Sequence, residues 1–95
     1  MRELVFEWDD DKAAANLTKH GVSFARAAAI FSSAIVEKID AREDYGELRF
    51  IALGRVDLTI YKVVYTWRGN RWIRIIIAQK ANRHERESYH SQVYS

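Results

Sequence analysis

Cationic side chains that can bind phosphate are concentrated in the second half of this chain of 95 residues. Six of them lie in a stretch whose only acid is Glu85: they are Arg68, Arg71, Arg74, Lys80, Arg83 and Arg86. A guanidinium group binds two phosphate oxygens through its planar fork of N–H donors, and it stays charged at neutral pH. The stretch therefore favours binding of a polyanion, although such a run is also typical of a solvated surface.

Aromatic residues accompany these cations along two predicted β-strands, Thr59–Arg68 and Arg71–Gln79. The dipeptide Gly69-Asn70 between them is typical of a tight hairpin, because both residue types tolerate positive φ angles. A two-residue loop would place Tyr65 opposite Arg74 on the neighbouring strand.

This predicted register divides the hairpin into two faces. The first face is expected to pack on helices and carries Ile60, Val64, Ile73, Ile75 and Ile77. The second face carries Tyr61, Tyr65, Trp67, Trp72 and Arg74. Exposed tyrosine and tryptophan rings stack on unpaired bases, so the second face predicts binding of single-stranded RNA. If a helix covers that face, its rings instead form a second small core.

Two helices are predicted before the hairpin. The acids at residues 9–11 provide hydrogen-bond acceptors and negative charge for a first helical turn, and the alanines that follow favour a helix over residues 10–20. Gly21 is typical of the end of such a helix. Ser23 can cap a second helix that continues to Ile30, so the two helices form a tight helical hairpin.

Three further strands are predicted from apolar runs. Alternation of apolar and polar residues indicates a short strand around Phe6, and later runs indicate strands at Ala34–Ile39 and Leu48–Leu53. Gly54 is expected to end the last of these, and the polar residues 40–47 are expected to form a loop.

A last helix is predicted from Asn82 and Glu85, which resemble a capping box, and it is expected to end near Val93. Together these elements predict an α+β fold. Two N-terminal helices and a C-terminal helix are expected around a mainly antiparallel sheet of four to five strands.

Composition is that of an ordinary globular protein, with 48% hydrophobic and 29% charged residues. The length fits one domain over residues 1–95. Cysteine is absent and no apolar segment is long enough for a signal peptide or a membrane span, so a cytoplasmic protein without a membrane partner is expected. The histidines His20, His84 and His90 lack ligand spacing and no nucleotide-binding motif occurs, so neither a metal nor a cofactor is predicted.

Charge is unevenly distributed along the chain, although the net charge is only +2. Residues 1–47 contain six Lys or Arg against ten Asp or Glu, whereas residues 48–95 contain nine against three. The basic half therefore either attracts a polyanion or pairs with the acidic half in the folded protein.

A series of short strings runs along nearly the whole chain in a characteristic order. They are Phe6-Glu7-Trp8-Asp9 with Lys12 and Asn16, Lys19-His20-Gly21-Val22-Ser23-Phe24, Tyr45-Gly46-Glu47 with Arg49, Ala52-Leu53-Gly54, Val64-Tyr65-Thr66 with Arg68-Gly69, Arg74-Ile75-Ile76 with Ala78, and Arg83-His84-Glu85-Arg86 with Tyr89. In this order the strings resemble the BrnT toxin family.

The resemblance implies a RelE-like fold and the toxin of a type II toxin–antitoxin pair. Such a toxin is expected to be a ribonuclease that inhibits translation, and our hypothesis is that it cleaves RNA without a metal. The resemblance also implies a BrnA-type antitoxin with a DNA-binding domain, which neutralises the toxin and through which the complex contacts operator DNA.

The chain departs from the family pattern at two positions of one string. The family string reads Arg-Ile-Ile-Ser-Ala-Arg, whereas this chain has Ile77 in place of the serine and Gln79 in place of the arginine. In the predicted register Ile77 lies on the apolar face. If the missing arginine held the scissile phosphate, its loss could cost about 10²-fold or more in rate.

Cleavage of RNA requires cations on the phosphate and groups that move two protons. For the cations we expect Arg68 and Arg74, supported by Lys80 and Arg83. Further RNA contacts are expected from Tyr65, Trp67 and Arg49. The candidate proton carriers are His20, His84, Glu85 and Tyr89, and for each of them a structural role is equally consistent with the sequence.

Two alternatives remain open at this point. The first is a domain that binds antitoxin or nucleic acid without cleavage, with Gln79 as its signature. The second is a purely structural subunit that binds a partner. Arg49 and Glu47 fit either a structural ion pair or a contribution to the site from the neighbouring strand.

Overall fold

The computed structural model of the protein describes residues 3–94. Its elements are β1 (Val5–Glu7), α1 (Asp10–His20), α2 (Phe24–Ala28), a 3₁₀ turn (Ala29–Ser32), β2 (Ile35–Ile39), β3 (Arg49–Val56), β4 (Thr59–Trp67), β5 (Trp72–Lys80) and α3 (Arg83–Tyr94). Over residues 3–94, no helix is long and apolar enough to cross a membrane.

The five strands form one mixed sheet in the order β1-β5-β4-β3-β2. Strand β1 pairs in parallel with β5, while the other neighbouring strands pair antiparallel. The predicted α+β class is therefore confirmed, with three α-helices and a sheet that is mixed. Because β1 lies beside β5, the first strand of the chain borders the last one.

Helix α1 covers residues 10–20 as predicted, because local residues define both of its ends. The side chain of Asp9 accepts a hydrogen bond from the backbone N–H of Lys12 at 2.9 Å, and Gly21 ends the helix with a φ of 69°. Asn16 is buried and donates to the backbone oxygens of Val22 and Ala78, at 2.9 and 2.8 Å. This amide ties α1 to strand β5.

Helix α2 is shorter than predicted, since it ends at Ala28 and continues as the 3₁₀ turn. The turn buries Ile30 against β3 at Gly54, where an added Cβ atom would lie only 2.6 Å from the Cβ of Ile30. Gly54 therefore permits close contact inside β3, and the prediction that it ends the strand is wrong. The chain reverses instead at Asp57-Leu58, between β3 and β4.

The β4–β5 hairpin is confirmed, but its predicted register is wrong by one residue. Its loop has three residues, because the backbone N–H of Arg68 donates to the oxygen of Trp72 at 2.8 Å. Tyr65 consequently pairs with Ile75 in place of Arg74. Further along, a β-bulge near Ile76 shifts the register again.

This shift reassigns the side chains of the hairpin, because a slip of one residue exchanges the two faces of a strand. Tyr61 and Tyr65 lie in one core cluster with Ile73 and Ile75, so the predicted division of faces is wrong. We call the side of the sheet that packs against α1 and α2 the helical face. The opposite side, which carries Arg74, is the charged face.

Helix α3 packs on one end of the charged face. Its Tyr89 forms a second core cluster with Leu53, Ile60 and Ala81. Contacts of α3 with β2 and β3 leave the side chains at the other end of this face without a helix above them. That end becomes the candidate site.

Candidate nucleic-acid interface

A row of polar side chains crosses four strands of the charged face. Arg49 on β3 lies opposite Thr66 on β4, Thr66 lies opposite Arg74 on β5, and Arg74 lies opposite Glu7 on β1. Residues opposite one another share a face, and neighbouring strands are about 4.8 Å apart, so the row spans about 14 Å. We call these four residues the cross-strand row.

Carboxylates pair with the arginines of the row. Arg74 donates to Glu7 at 2.7 Å, while Glu47 accepts from Arg49 at 2.9 Å and lies 3.4 Å from Arg68. The three arginines carry three positive charges and their two carboxylate partners carry two negative charges. One positive charge therefore remains. Arg74 keeps 31% of its side chain exposed, so it is held in place and still accessible to a ligand.

The uneven charge of the two halves is partly resolved by these pairs. Glu7 comes from the acidic half and Arg74 from the basic half, and Glu47 with Arg68 repeats this arrangement. The acidic half therefore pairs with the basic half in the folded protein, which is one of the two predicted explanations of the uneven charge. This pairing occurs where the arginines lie close together.

A loop borders the cross-strand row on its β3 side. The guanidinium carbon of Arg49 lies 4.1 Å from the centre of the Tyr45 ring, which is a cation–π contact. The Tyr45 hydroxyl donates to Asp40, and Arg42 binds the same carboxylate at 2.7 Å. Hydrogen bonds from Arg42 hold the pKa of Asp40 well below its usual range.

The loop and the sheet enclose a cleft of about 370 Å³. It is lined by Arg42, Glu43, Tyr45, Arg49, Val64 and Ile77. Burial raises the pKa of the Tyr45 phenol, and its hydrogen bond to Asp40 acts in the same direction, so the phenol stays protonated at neutral pH. The cleft therefore combines a permanent cation with a proton donor.

A second polar group lies on the charged face near α3. Lys62 on β4 contacts Glu85 at 3.1 Å, and His84 and Glu85 line a cleft of about 310 Å³ between α3 and strands β2 and β3. Glu85 and Asn82 form the predicted capping box, with bonds of 2.8 Å in both directions. Burial acts to raise the pKa of Glu85, but bonds from Asn82 and Lys62 outweigh it and lower the pKa.

The two polar groups are separated along the sheet. Lys62 and Thr66 are four residues apart on β4, which corresponds to about 13 Å. Ile77, opposite Val64, lies between them on the charged face, so its predicted place on the helix-packed face is wrong. Gln79 lies opposite Lys62, and a cation is thus already present beside the position where the family string has arginine.

Two tyrosines of the predicted site lie in the core. Tyr65 is 1% exposed, contacts the rings of Phe31 and Phe50, and donates its hydroxyl to Glu37. Tyr89 is also 1% exposed, and its hydroxyl donates to the oxygen of Ala34 at 2.9 Å. Neither ring reaches the cross-strand row, and both have the contacts of structural residues.

The remaining predicted residues are dispersed. Trp67 and Lys80 lie on the helical face, because they are opposite Ile73 and Tyr61. Arg83 is on the solvent side of α3 with Glu87 as its partner, and His20 ends α1. Of the predicted site, the structure thus brings together Arg49, Arg68 and Arg74, and places His84 and Glu85 at the other end of the same face.

Two residues of the charged face were missed by sequence reasoning: Glu7 and Lys62. Glu7 joins Arg74 only through the parallel pairing of β1 with β5, which no local pattern reveals. Lys62 becomes recognisable once the hairpin register is known, whereas Trp72 was already predicted to share a face with Arg74. Over residues 3–94, no cluster of three or more His, Cys, Asp or Glu residues is arranged to hold a metal ion.

Comparisons with known proteins identify the family of this chain. The family model described as "Ribonuclease toxin, BrnT, of type II toxin-antitoxin system" matches residues 8–85. The 1.1 Å crystal structure of the ribonuclease toxin BrnT from Brucella abortus is similar with a TM-score of 0.62 and 25% sequence identity, covering 87% of this chain and 100% of that chain. A search of curated proteins gave no significant match.

The class of protein defined by these matches is the ribonuclease toxin of a type II toxin–antitoxin system. Within that class, the chain belongs to the BrnT family, because the family model covers most of its length. Membership implies RNA as the substrate class and a protein antitoxin as the partner.

Proposed function

We propose that this chain is a metal-independent endoribonuclease and that the cross-strand row with Glu47 is its reacting centre. The observation that carries the proposal is the convergence of Arg49, Arg68 and Arg74 around carboxylates on a face that the helices leave accessible. Guanidinium groups supply the positive charge that a developing phosphorane requires. Carboxylates at hydrogen-bond distance supply a base.

The proposed reaction is an internal transfer at one phosphate of the RNA. The 2′-oxygen attacks the adjacent phosphorus, and the bond from phosphorus to the 5′-oxygen of the next nucleotide breaks. Glu47 accepts the proton of the 2′-hydroxyl, and Tyr45 donates a proton to the leaving 5′-oxygen. The products are a 2′,3′-cyclic phosphate and a 5′-hydroxyl, with Glu47 left protonated and Tyr45 ionised. Proton exchange with solvent then returns both groups to their starting states, so no cofactor is consumed.

Each residue has a role that suits its environment. Arg49 and Arg74 lie on either side of Thr66 and bind the non-bridging oxygens of the phosphate from two sides. They bind and do not transfer protons, because an arginine cannot exchange protons usefully at neutral pH. Tyr45 keeps its proton because burial raises its pKa. His84 and Glu85 lie near Lys62, which is about 13 Å from Thr66 along β4, and they contact a more distant part of the RNA strand.

The wider biology belongs to the same proposal. Residues 1–95 act as one toxin domain of RelE-like fold in the cytoplasm, and cleavage of RNA inhibits translation. A BrnA-type antitoxin neutralises the domain and provides its contact with operator DNA. These statements are supported by membership of the BrnT family.

The test uses the purified chain, free of antitoxin, with a labelled RNA in the presence of EDTA. Fragments that end in a 2′,3′-cyclic phosphate are expected. The same RNA with 2′-O-methyl groups at all positions should stay intact, because its nucleophile is blocked. Loss of cleavage in EDTA, or cleavage of the methylated strand, would contradict the proposal.

A second candidate function is binding without cleavage, and it is favoured by Ile77. This residue places an apolar side chain in the middle of the charged face, where the family string has a serine hydroxyl. If Ile77→Ser creates cleavage that the wild-type chain lacks, while both proteins bind RNA equally, the binding function is correct. Equal cleavage by both proteins would exclude it.

A further inference from the structure

An exposed tryptophan lies beside Arg74 on the charged face. Trp72 and Arg74 are two residues apart on β5, and their neighbours on β1 are Val5 and Glu7. Side chains at this spacing point to the same side of a sheet, about 7 Å apart. Trp72 is 42% exposed, although tryptophan is usually well buried.

We propose that Trp72 is an RNA-binding residue that stacks on the base next to the phosphate held by Arg74, an inference that rests on the proposed function. Proteins bind single strands by combining cations that follow the backbone with aromatic rings on which bases stack. When a phosphate binds at Arg74, the neighbouring base lies beside the next side chain of β5 on the same face. That side chain is the indole of Trp72.

Charge around the indole fits an RNA strand that continues past it. The hairpin loop beyond Trp72 carries Arg71, which is exposed, and Arg68 lies on the other side of the loop. A strand that leaves Arg74 over Trp72 therefore meets further cations. Because every base has a π-face, we expect stacking to accept all four bases and to favour the larger purines.

The same hairpin provides a matched control in Trp67. Its exposure of 40% nearly equals that of Trp72, and it belongs to the strand that pairs with β5. Trp67 lies opposite Ile73 on the helical face, and its ring meets that of Tyr65 edge to face at 6.2 Å. The two tryptophans thus differ mainly in the face that they occupy.

The experiment measures binding of a 2′-O-methyl RNA oligonucleotide, which lacks the nucleophile, at one fixed salt concentration. Removal of a stacked aromatic ring weakens binding by about 10-fold, so Trp72→Ala should show this loss and Trp67→Ala less than about 2-fold. Trp72→Phe should restore most of the affinity, whereas Trp72→Leu, which keeps apolar bulk without a ring, should not. The comparison of Trp72→Phe with Trp72→Leu tests the stacking role even if the alanine variant folds poorly.

A single abasic position, moved along the oligonucleotide, identifies the stacked base. At one position the missing base should weaken binding to the wild-type chain but leave binding to Trp72→Leu unchanged, because the two changes remove the same contact. Equal losses in both proteins at every position would overturn the stacking role.

Unmodified RNA separates this inference from the proposed function. If the wild-type chain cleaves RNA and Trp72→Leu binds and cleaves equally well, stacking is excluded while the ribonuclease activity stands. If the wild-type chain binds the oligonucleotide, leaves RNA intact and still shows the difference between Phe and Leu at position 72, stacking is supported and the cleavage proposal fails.

Discussion

On the helical face the cross-strand neighbours are small apolar residues such as Val63 and Ala78, whereas on the charged face the neighbours are Thr66 and Arg74. Both pairs join β4 to β5, and the β-bulge near Ile76 separates their registers. The apolar pair is fully buried, while the charged face leaves its arginines partly exposed. The same strands therefore stabilise the protein through one face and present ligand-binding groups on the other.

The comparison teaches that stability and activity should respond to different substitutions. Changes on the helical face should alter the free energy of unfolding with little effect on the folded enzyme. Changes in the cross-strand row should alter cleavage or binding with little effect on folding, because its ion pairs are partly exposed and contribute little to stability.

The largest expected effect is that of Arg74→Ala. Removal of one charged contact to a transition state costs about 10²- to 10³-fold in rate, so cleavage of RNA should fall by that factor while the unfolding midpoint stays nearly constant. Arg83→Ala is the control, because Arg83 is exposed and pairs with Glu87 on the solvent side of α3. If the cleavage rate falls equally in Arg74→Ala and Arg83→Ala, the assignment of activity to the charged face is wrong.

Gly54→Val is expected to have a large effect on stability and none on the cleavage rate. The new Cβ would lie 2.6 Å from the Cβ of Ile30, and such overpacking should lower the free energy of unfolding by about 3 kcal/mol. Denaturant titration measures this change, and the cleavage rate per folded molecule should be unaltered. In Gly46→Ala, where a Cβ meets open space, only backbone strain at φ 70° remains, at about 1 kcal/mol.

A smaller effect is expected for Tyr65→Phe, which tests a residue once expected to touch RNA. Loss of the hydroxyl bond to Glu37 should cost about 1 kcal/mol of stability and leave cleavage unchanged. Burial, together with Glu37, raises the pKa of Tyr65. The native state therefore binds the phenol proton more tightly than the unfolded state does. This preference stabilises the protein at neutral pH, and the stabilisation declines in strong alkali. The stability of Tyr65→Phe should lack this decline. Reduced RNA cleavage in the variant would contradict the structural role.

The smallest expected effect is that of Gln79→Arg. An added cation opposite Lys62 should strengthen RNA binding a few-fold and make it more salt-dependent by about one phosphate contact. Like charges directly opposite on neighbouring strands should also cost a few tenths of a kcal/mol in stability. Thr18→Arg adds the same charge on α1 of the helical face, and an equal gain in affinity there would mean that net charge alone is responsible.

The sequence was informative where neighbouring residues determine the structure. Helix α1 could be predicted residue by residue, since Asp9 and Gly21 define its ends locally. The hairpin itself was also predictable. Its register was not, because the third loop residue and the bulge near Ile76 depend on packing against the rest of the sheet.

The candidate site was predictable in its cations and not in their arrangement. Arg68 and Arg74 were identified from composition and resemblance, but their carboxylate partners come from distant parts of the chain. The buried places of Tyr65 and Tyr89 could not be predicted either, since an aromatic residue in a strand or helix has the same local pattern whether it is covered or exposed.

The parallel pairing of β1 with β5 has a consequence for the order of synthesis. Glu7 is made before its partner Arg74, which is added 67 residues later. Until β5 has been synthesised, β1 has no strand to pair with and the arginines of β5 do not yet exist. A nascent chain is therefore unable to assemble the cross-strand row until β5 has been translated.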